Sequence, residues 1–168
     1  MAMTSEDLFA LFDTLGFSVT THHHAPTFTV EEGRELKADM PGGHSKNLFM
    51  QDKAGQIVLI SAHADARLKL NKLHKVIGTG RLSFAPAEVM EAVLGVSPGS
   101  VTAFALANPS ARSVRFILEK ALAECDPLNF HPLRNDMTTA ISRKEFDRFL
   151  AHTGREVEIV DFQELDTL

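Results

Sequence analysis

The chain has 168 residues, 44% hydrophobic and 23% charged, with a formal net charge of -5. That length suits one compact domain, the acidic balance argues against a general nucleic-acid coat protein, and a single cysteine, Cys125, excludes an internal disulfide. No apolar run approaches the roughly 20 residues of a membrane span, and the acidic start "MAMTSEDLFALF" is unlike a signal peptide, so cytoplasmic residence is expected.

In chain order, "TSEDLFALFDTLG" predicts a helix with Thr4 or Ser5 as cap, acids in the first turn and Gly16 at its end. "FSVTTHHHA" reads as a strand running to Pro26. "TVEEGRELKADM" has the capping-box spacing Thr29 to Glu32 and predicts a short helix, weakened by Gly33, that would act as a lid. "SKNLFMQDKAGQIVLISAHA" predicts a hairpin around "DKAG". "ADARLKLNKLHKVIG" predicts a basic amphipathic helix with Leu68, Leu73 and Val76 inward. A short strand "RLSFA" and a helix "APAEVMEAVLG" follow, then the turn "GVSPGS". "VTAFAL" and "SVRFILEK" read as strands, the second also open to a helical reading. "LNFHPL" and "MTTAIS" predict a second hairpin around "RND"; "SRKEFDRFLAHTG" is a helix capped by Ser142, and "EVEIVDF" a last strand. Hairpins with interspersed helices favour an α+β domain with a mixed, largely antiparallel sheet.

Charge is segregated. Arg67, Lys69, Lys72, Lys75 and Arg81 fall within fifteen residues, a patch that can steer a polyanion or simply be a solvated helix face. Several chemistries find little footing. Adjacent strand residues face opposite ways, so His22, His23 and His24 make no metal tripod, and neither HExxH nor paired CxxC occurs. Cys125 in "AECDP" has no adjacent base, and there is no GxSxG elbow. "PGG" and "GTGR" are too short for a phosphate loop. What remains is a constellation: Lys46 and Asn47 opening a hairpin, the Gly/Pro turn at 95–100 with backbone N–H groups suited to a carbonyl, and His131, Asn135, Thr138 and Thr139. Taken singly, these are also an edge lysine, a β-turn and a capped hairpin.

Together, "SKNLFMQDKAGQIVLISAHAD", "RLSFAPAEVMEAVLGVSPGSVTAFAL" and "NFHPLRNDMTTAIS" resemble the YbaK/ProX family, the prolyl-tRNA editing-domain superfamily of aminoacyl-tRNA deacylases. The resemblance runs from about Phe17 to about Val160 and is closest to the free-standing branch that deacylates alanyl-tRNA(Pro), with the cysteinyl-tRNA(Pro) branch as its near alternative. It implies one editing domain over residues 1–168, a mixed, partly barrel-like sheet flanked by helices, and neither cofactor nor metal. The implied substrate is mischarged aminoacyl-tRNA, with prolyl-tRNA synthetase as a possible partner. An editing site answers a physical limit: a pocket made for proline cannot strongly reject smaller side chains.

By the resemblance, Lys46 holds the phosphate of the terminal adenosine, and two glycines before it permit close backbone approach. Asn47 hydrogen-bonds substrate; Gly95, Ser97, Pro98, Gly99 and Ser100 belong to the loop whose amides polarise the ester. Ala103 stands where many relatives carry proline. His131 binds the aminoacyl group or positions water, while the tRNA 2′-OH assists and no protein nucleophile takes part. Phe28, Val30 and Leu36 would select for size, and Arg81, Lys69, Lys72 and Lys75 would meet the acceptor stem. A non-catalytic nucleic-acid-binding module of the same fold is the competing class.

Overall fold

A computed structural model describes residues 2–26 and 40–163. The expected helix over 29–38, and with it Phe28, Val30 and Leu36, lies outside them. Helix α1 (Ser5–Leu15) starts where its sequence dictates: Thr4 Oγ1 accepts the Asp7 N–H at 3.1 Å, the Asp7 carboxylate accepts the Thr4 N–H at 3.0 Å, and Gly16 ends the helix at φ 74°. Strand β1 (Thr20–His23) follows. Strands β2 (Gly43–Gln51) and β3 (Ile57–His63) form the predicted hairpin, paired from Ser45↔His63 to Gln51↔Ile57.

Helix α2 is only Leu73–Ile77, much shorter than the sequence suggests. One reason comes from another strand: the Ala66 carbonyl, which a longer helix would give to the Leu70 N–H, accepts from Lys46 Nζ. Strand β4 (Ser83–Phe84) and helix α3 (Ala87–Leu94) match the reading, with Gly95 as a left-handed cap. "VTAFAL" does not. It forms a 3₁₀ turn over Ala103–Ala107, opened by Thr102 Oγ1 accepting the Phe104 N–H at 3.3 Å. Ala103 to Leu106 are all buried, and a short apolar run buried all round is ambiguous between strand and helix by period alone. Strand β5 (Arg115–Glu119), helix α4 (Lys120–Ala123), strands β6 (Leu128–Phe130) and β7 (Met137–Ile141), helix α5 (Arg143–His152) and strand β8 (Ile159–Val160) complete the order.

The eight strands make a mixed sheet in the order β1-β7-β6-β2-β3-β5-β8, with β4 also paired to β2. Four pairings are antiparallel and three parallel, so parallel contacts contribute more than a hairpin reading suggests. The main core lies on one side, under α1, α5 and the 3₁₀ segment. Phe104 sits edge-on to Phe12, Phe130 and Phe149 with ring centroids 5.1, 5.3 and 5.4 Å apart. A second core under α2 joins Met50, Val58, Ile60, Leu73, Ile77 and Ile117.

Candidate functional site

Strand parity positions the predicted residues. Phe49 belongs to the main core and Met50 to the second. Side chains alternate along a strand. Lys46 therefore stands on the side of Leu48 and Met50, and Asn47 on the side of Phe49. The adjacent residues do not share a face.

Lys46 is half-buried, and its Nζ donates to the Ala66 carbonyl. Asn47 is engaged internally: its Oδ1 accepts from Ser61 Oγ, its Nδ2 donates to Ser45 Oγ at 3.2 Å, and Ser45 Oγ donates to Asn129 O at 2.8 Å. Its peptide is placed differently. The Gly43 N–H reaches Pro127 O on the β6 side, Phe49 O accepts the Ala85 N–H on the β4 side, and His44 O accepts from Ala64 on the β3 side. Peptide directions alternate, so the Asn47 N–H and C=O turn toward the gap between β6 and β4. The register of β6 ends at His44 and that of β4 begins at Met50, so the Asn47 peptide is paired with neither strand and this edge is open.

The glycines before Lys46 have a structural reason the sequence did not reveal. A Cβ on Gly42, at φ 99°, would stand 2.2 Å from Pro127 O, and one on Gly43 would meet Cys125 Cβ at 2.6 Å. The close approach they permit is to the chain's own 125–127 segment.

His131 follows β6 on the Lys46 side of the sheet, because Phe130 before it faces the main core. The β2–β6 pairing ends at His44↔Asn129, so Lys46 and His131 both lie two residues beyond its last pair, on the same side. His131 Nδ1 donates to Met137 O at 2.8 Å, which fixes the tautomer and leaves Nε2 as an acceptor. Burial, above all, holds the imidazole below its ordinary value of 6.5, and His24 adds to that effect; the Met137 carbonyl and Asp136 oppose it. His24 lies 6.1 Å away between ring centroids. Its Nδ1 donates to Ala25 O at 2.7 Å, and its Nε2 shares a 2.8 Å hydrogen bond with Thr138 Oγ1. The sequence grouped Thr138 with His131 but missed His24; the pairing His22↔Thr138 puts His24, two residues on, on the same side as Thr138. Thr139 faces away and bonds Thr21 Oγ1 at 2.8 Å.

The Gly/Pro turn is a 3₁₀ turn over Pro98–Ser100. Its donors are fewer than the sequence suggests. Proline has no N–H, the Gly95 N–H caps α3 on Glu91 O at 3.1 Å, and the Ser100 N–H closes on Ser97 O at 2.9 Å. Ser97 and Gly99, both exposed, are the members of the five whose amides no described turn or cap claims.

The basic residues Arg67, Lys69, Lys75 and Arg81 are exposed and Lys72 is half-buried. A cavity of about 200 Å³ bounded by Thr20, His22, Met40, Pro41, Pro127 and Ala140 opens on the His131 side of β1 and β7. A larger one of about 610 Å³ holds Glu119, Glu124 and Cys125. Cys125 packs against the main core, and burial first, then Glu119 and Glu124, push its thiol up, away from a nucleophilic thiolate.

This arrangement has parallels among known proteins. Residues 24–149 match the family model described as aminoacyl-tRNA editing domain. The chain is 33% identical over 162 residues to prolyl-tRNA synthetase associated domain-containing protein 1 of Xenopus laevis, covering 94% of this chain and 96% of the relative. It is 27% identical over 153 residues to prolyl-tRNA editing protein ProX of Acetoanaerobium sticklandii, covering 90% and 93%. A solved structure of a candidate trans-editing enzyme for prolyl tRNA synthetase shares the fold, with TM-score 0.68, 21% identity and coverage of 96% and 99%. Another, of a hypothetical protein, has TM-score 0.71 at 21% identity, covering 91% and 97%. With three quarters of its length matched by that model, the chain belongs to the aminoacyl-tRNA editing domain family.

Proposed function

We propose that this chain, as a single editing domain, is a trans-acting deacylase that removes alanine mischarged onto tRNA(Pro). What supports the reading is that Lys46 and a neutral, tautomer-fixed His131 stand on the same side of the sheet, away from the main core. Lys46 meets the phosphate of the terminal adenosine as a point charge. The open edge at Asn47 offers a backbone N–H, and Gly99 a second, to the ester carbonyl. His131 Nε2 accepts a hydrogen bond from water and aims it. Water adds to the carbonyl carbon, the bond to the ribose 3′ oxygen breaks, and that oxygen takes up the proton with help from the neighbouring 2′-OH. Alanine and free tRNA leave.

The raised thiol pKa of Cys125, and its place against the main core, support a route without a protein nucleophile. Within this reading the Asn47 side chain holds the strand in place rather than touching substrate. Arg81, Lys69, Lys72 and Lys75 meet acceptor-stem phosphates, which makes binding salt-dependent.

Single-turnover hydrolysis of Ala-tRNA(Pro), Cys-tRNA(Pro), Ala-tRNA(Ala) and Pro-tRNA(Pro) tests the substrate. Fast loss of Ala-tRNA(Pro) alone is expected. Preference for the cysteinyl ester would move the protein to the sister activity, and hydrolysis of none would leave a binding module.

A further inference from the structure

The geometry points to Phe84 as a stacking platform for one base of the unpaired 3′ end of the RNA, upstream of the terminal adenosine. This inference rests on the RNA substrate named above.

Phe84 breaks the pattern of its kind. The chain has twelve phenylalanines, and Phe28 lies outside the described residues. Of the eleven described, ten are buried or half-buried, whereas Phe84 is 57% exposed. It belongs to neither core cluster. An isolated exposed apolar residue is ordinary; four features of its setting are not.

It stands on β4, paired to Met50, and therefore on the same side of the sheet as Met50 and Lys46. Met50 lies four residue steps along the strand from Lys46, about 13 Å at a rise of roughly 3.3 Å each. That is beyond the reach of the terminal nucleoside held at Lys46 but along the path of the nucleotides before it. The segment is firmly mounted, too. Asp52, at the β2–β3 turn, accepts the Gln56 N–H at 2.9 Å with Oδ1 and the Gly80 N–H at 3.1 Å with Oδ2, which anchors the approach to Arg81 and β4. Finally, the chain between Ala66, bonded to Lys46, and Gly80, bonded to Asp52, runs the length of β2 and carries Arg67, Lys69, Lys72 and Lys75; Arg81 follows. An exposed ring at one end of a cationic track matches the chemistry of single-stranded nucleic acid: phosphates follow the charges, and a base covers the ring. The exposed Leu70 lies on the same track.

The test uses an uncharged acceptor-stem RNA hairpin with an unpaired 3′ end, carrying 2-aminopurine at each of its last three positions in turn. Binding to the full-length protein should quench one position strongly. Phe84→Ala should abolish that quenching and raise KM for the aminoacylated RNA about tenfold with kcat unchanged; Phe84→Tyr should restore both. Equal quenching and KM in Phe84→Ala overturns the inference. So does a concentration-dependent dimer in sedimentation velocity that Phe84→Ala abolishes, since the ring would then cover a second copy. Because the RNA is uncharged, Phe84-dependent quenching without hydrolysis of any ester would separate a standing platform from a failed deacylase reading.

Discussion

Two sides of the same sheet differ where β6 and the start of β2 meet. On one, Phe130 and Phe49 enter a core in which Phe104, Phe12, Phe146 and Phe149 interlock, with Phe130 and Phe146 stacked at 5.0 Å. On the other, His131, one residue after Phe130, and Lys46, three before Phe49, meet polar partners: the Met137 and Ala66 carbonyls. The alternation of strands makes this possible. A rigid apolar side fixes the backbone, and the polar side inherits that precision. The loop after β6 is fixed as well: Ser5 Oγ donates to Pro132 O at 2.6 Å, and Leu133 beyond it takes φ 70°, a left-handed conformation that costs a leucine energy.

If the two sides divide stability from chemistry, their variants should separate. Phe104→Ala should have the largest effect on the fold, about 3–5 kcal/mol from the cavity it leaves. Calorimetry should show melting lowered by roughly 10 °C, with activity per folded molecule retained at low temperature. A folded Phe104→Ala protein without activity would erase the division.

His131→Gln sharpens the same comparison from the other side. It should slow single-turnover hydrolysis about tenfold, the worth of one hydrogen bond, with little change in melting. The wild-type rate should hold near neutrality and fall as pH drops below 6.5, because protonation through the lowered His131 pKa removes the acceptor at Nε2. The sign for stability is the same: the folded pKa is depressed, so stability is kept above 6.5 and lost as pH falls through the folded value. A pH–rate profile for His131→Gln without that fall supports the assignment, and an unchanged profile contradicts it. Thr138→Val, which removes the hydroxyl bonded to His24, should cost a few-fold in rate by the same assay and leave melting within about 1 kcal/mol of wild type. Cys125→Ser should be the smallest change, near neutral for chemistry; a folded, inactive variant would reopen covalent catalysis.

Much of this was legible in the sequence where local chemistry decides. The Thr4 and Ser142 caps, the "DKAG" hairpin and Gly95 at the end of α3 depend on residues within a few positions of one another. Long-range effects were not. The short α2 follows partly from a lysine twenty residues away taking the Ala66 carbonyl, and the glycines at 42 and 43 answer to Pro127 and Cys125. For the site, the resemblance named Lys46 and His131, but parity decides which neighbours share their side. It separates Asn47 from Lys46 and Thr139 from Thr138, and adds His24. The loop donors shrink to Ser97 and Gly99 because turn closure, invisible in composition, consumes the others.

The most direct test of the central claim is the single-turnover rate of Ala-tRNA(Pro) hydrolysis by Lys46→Ala beside wild type, with melting curves of both. A loss of about 10²–10³ in rate, with melting nearly unchanged, is the predicted result. A well-folded Lys46→Ala protein that hydrolyses the ester at the wild-type rate would contradict the account.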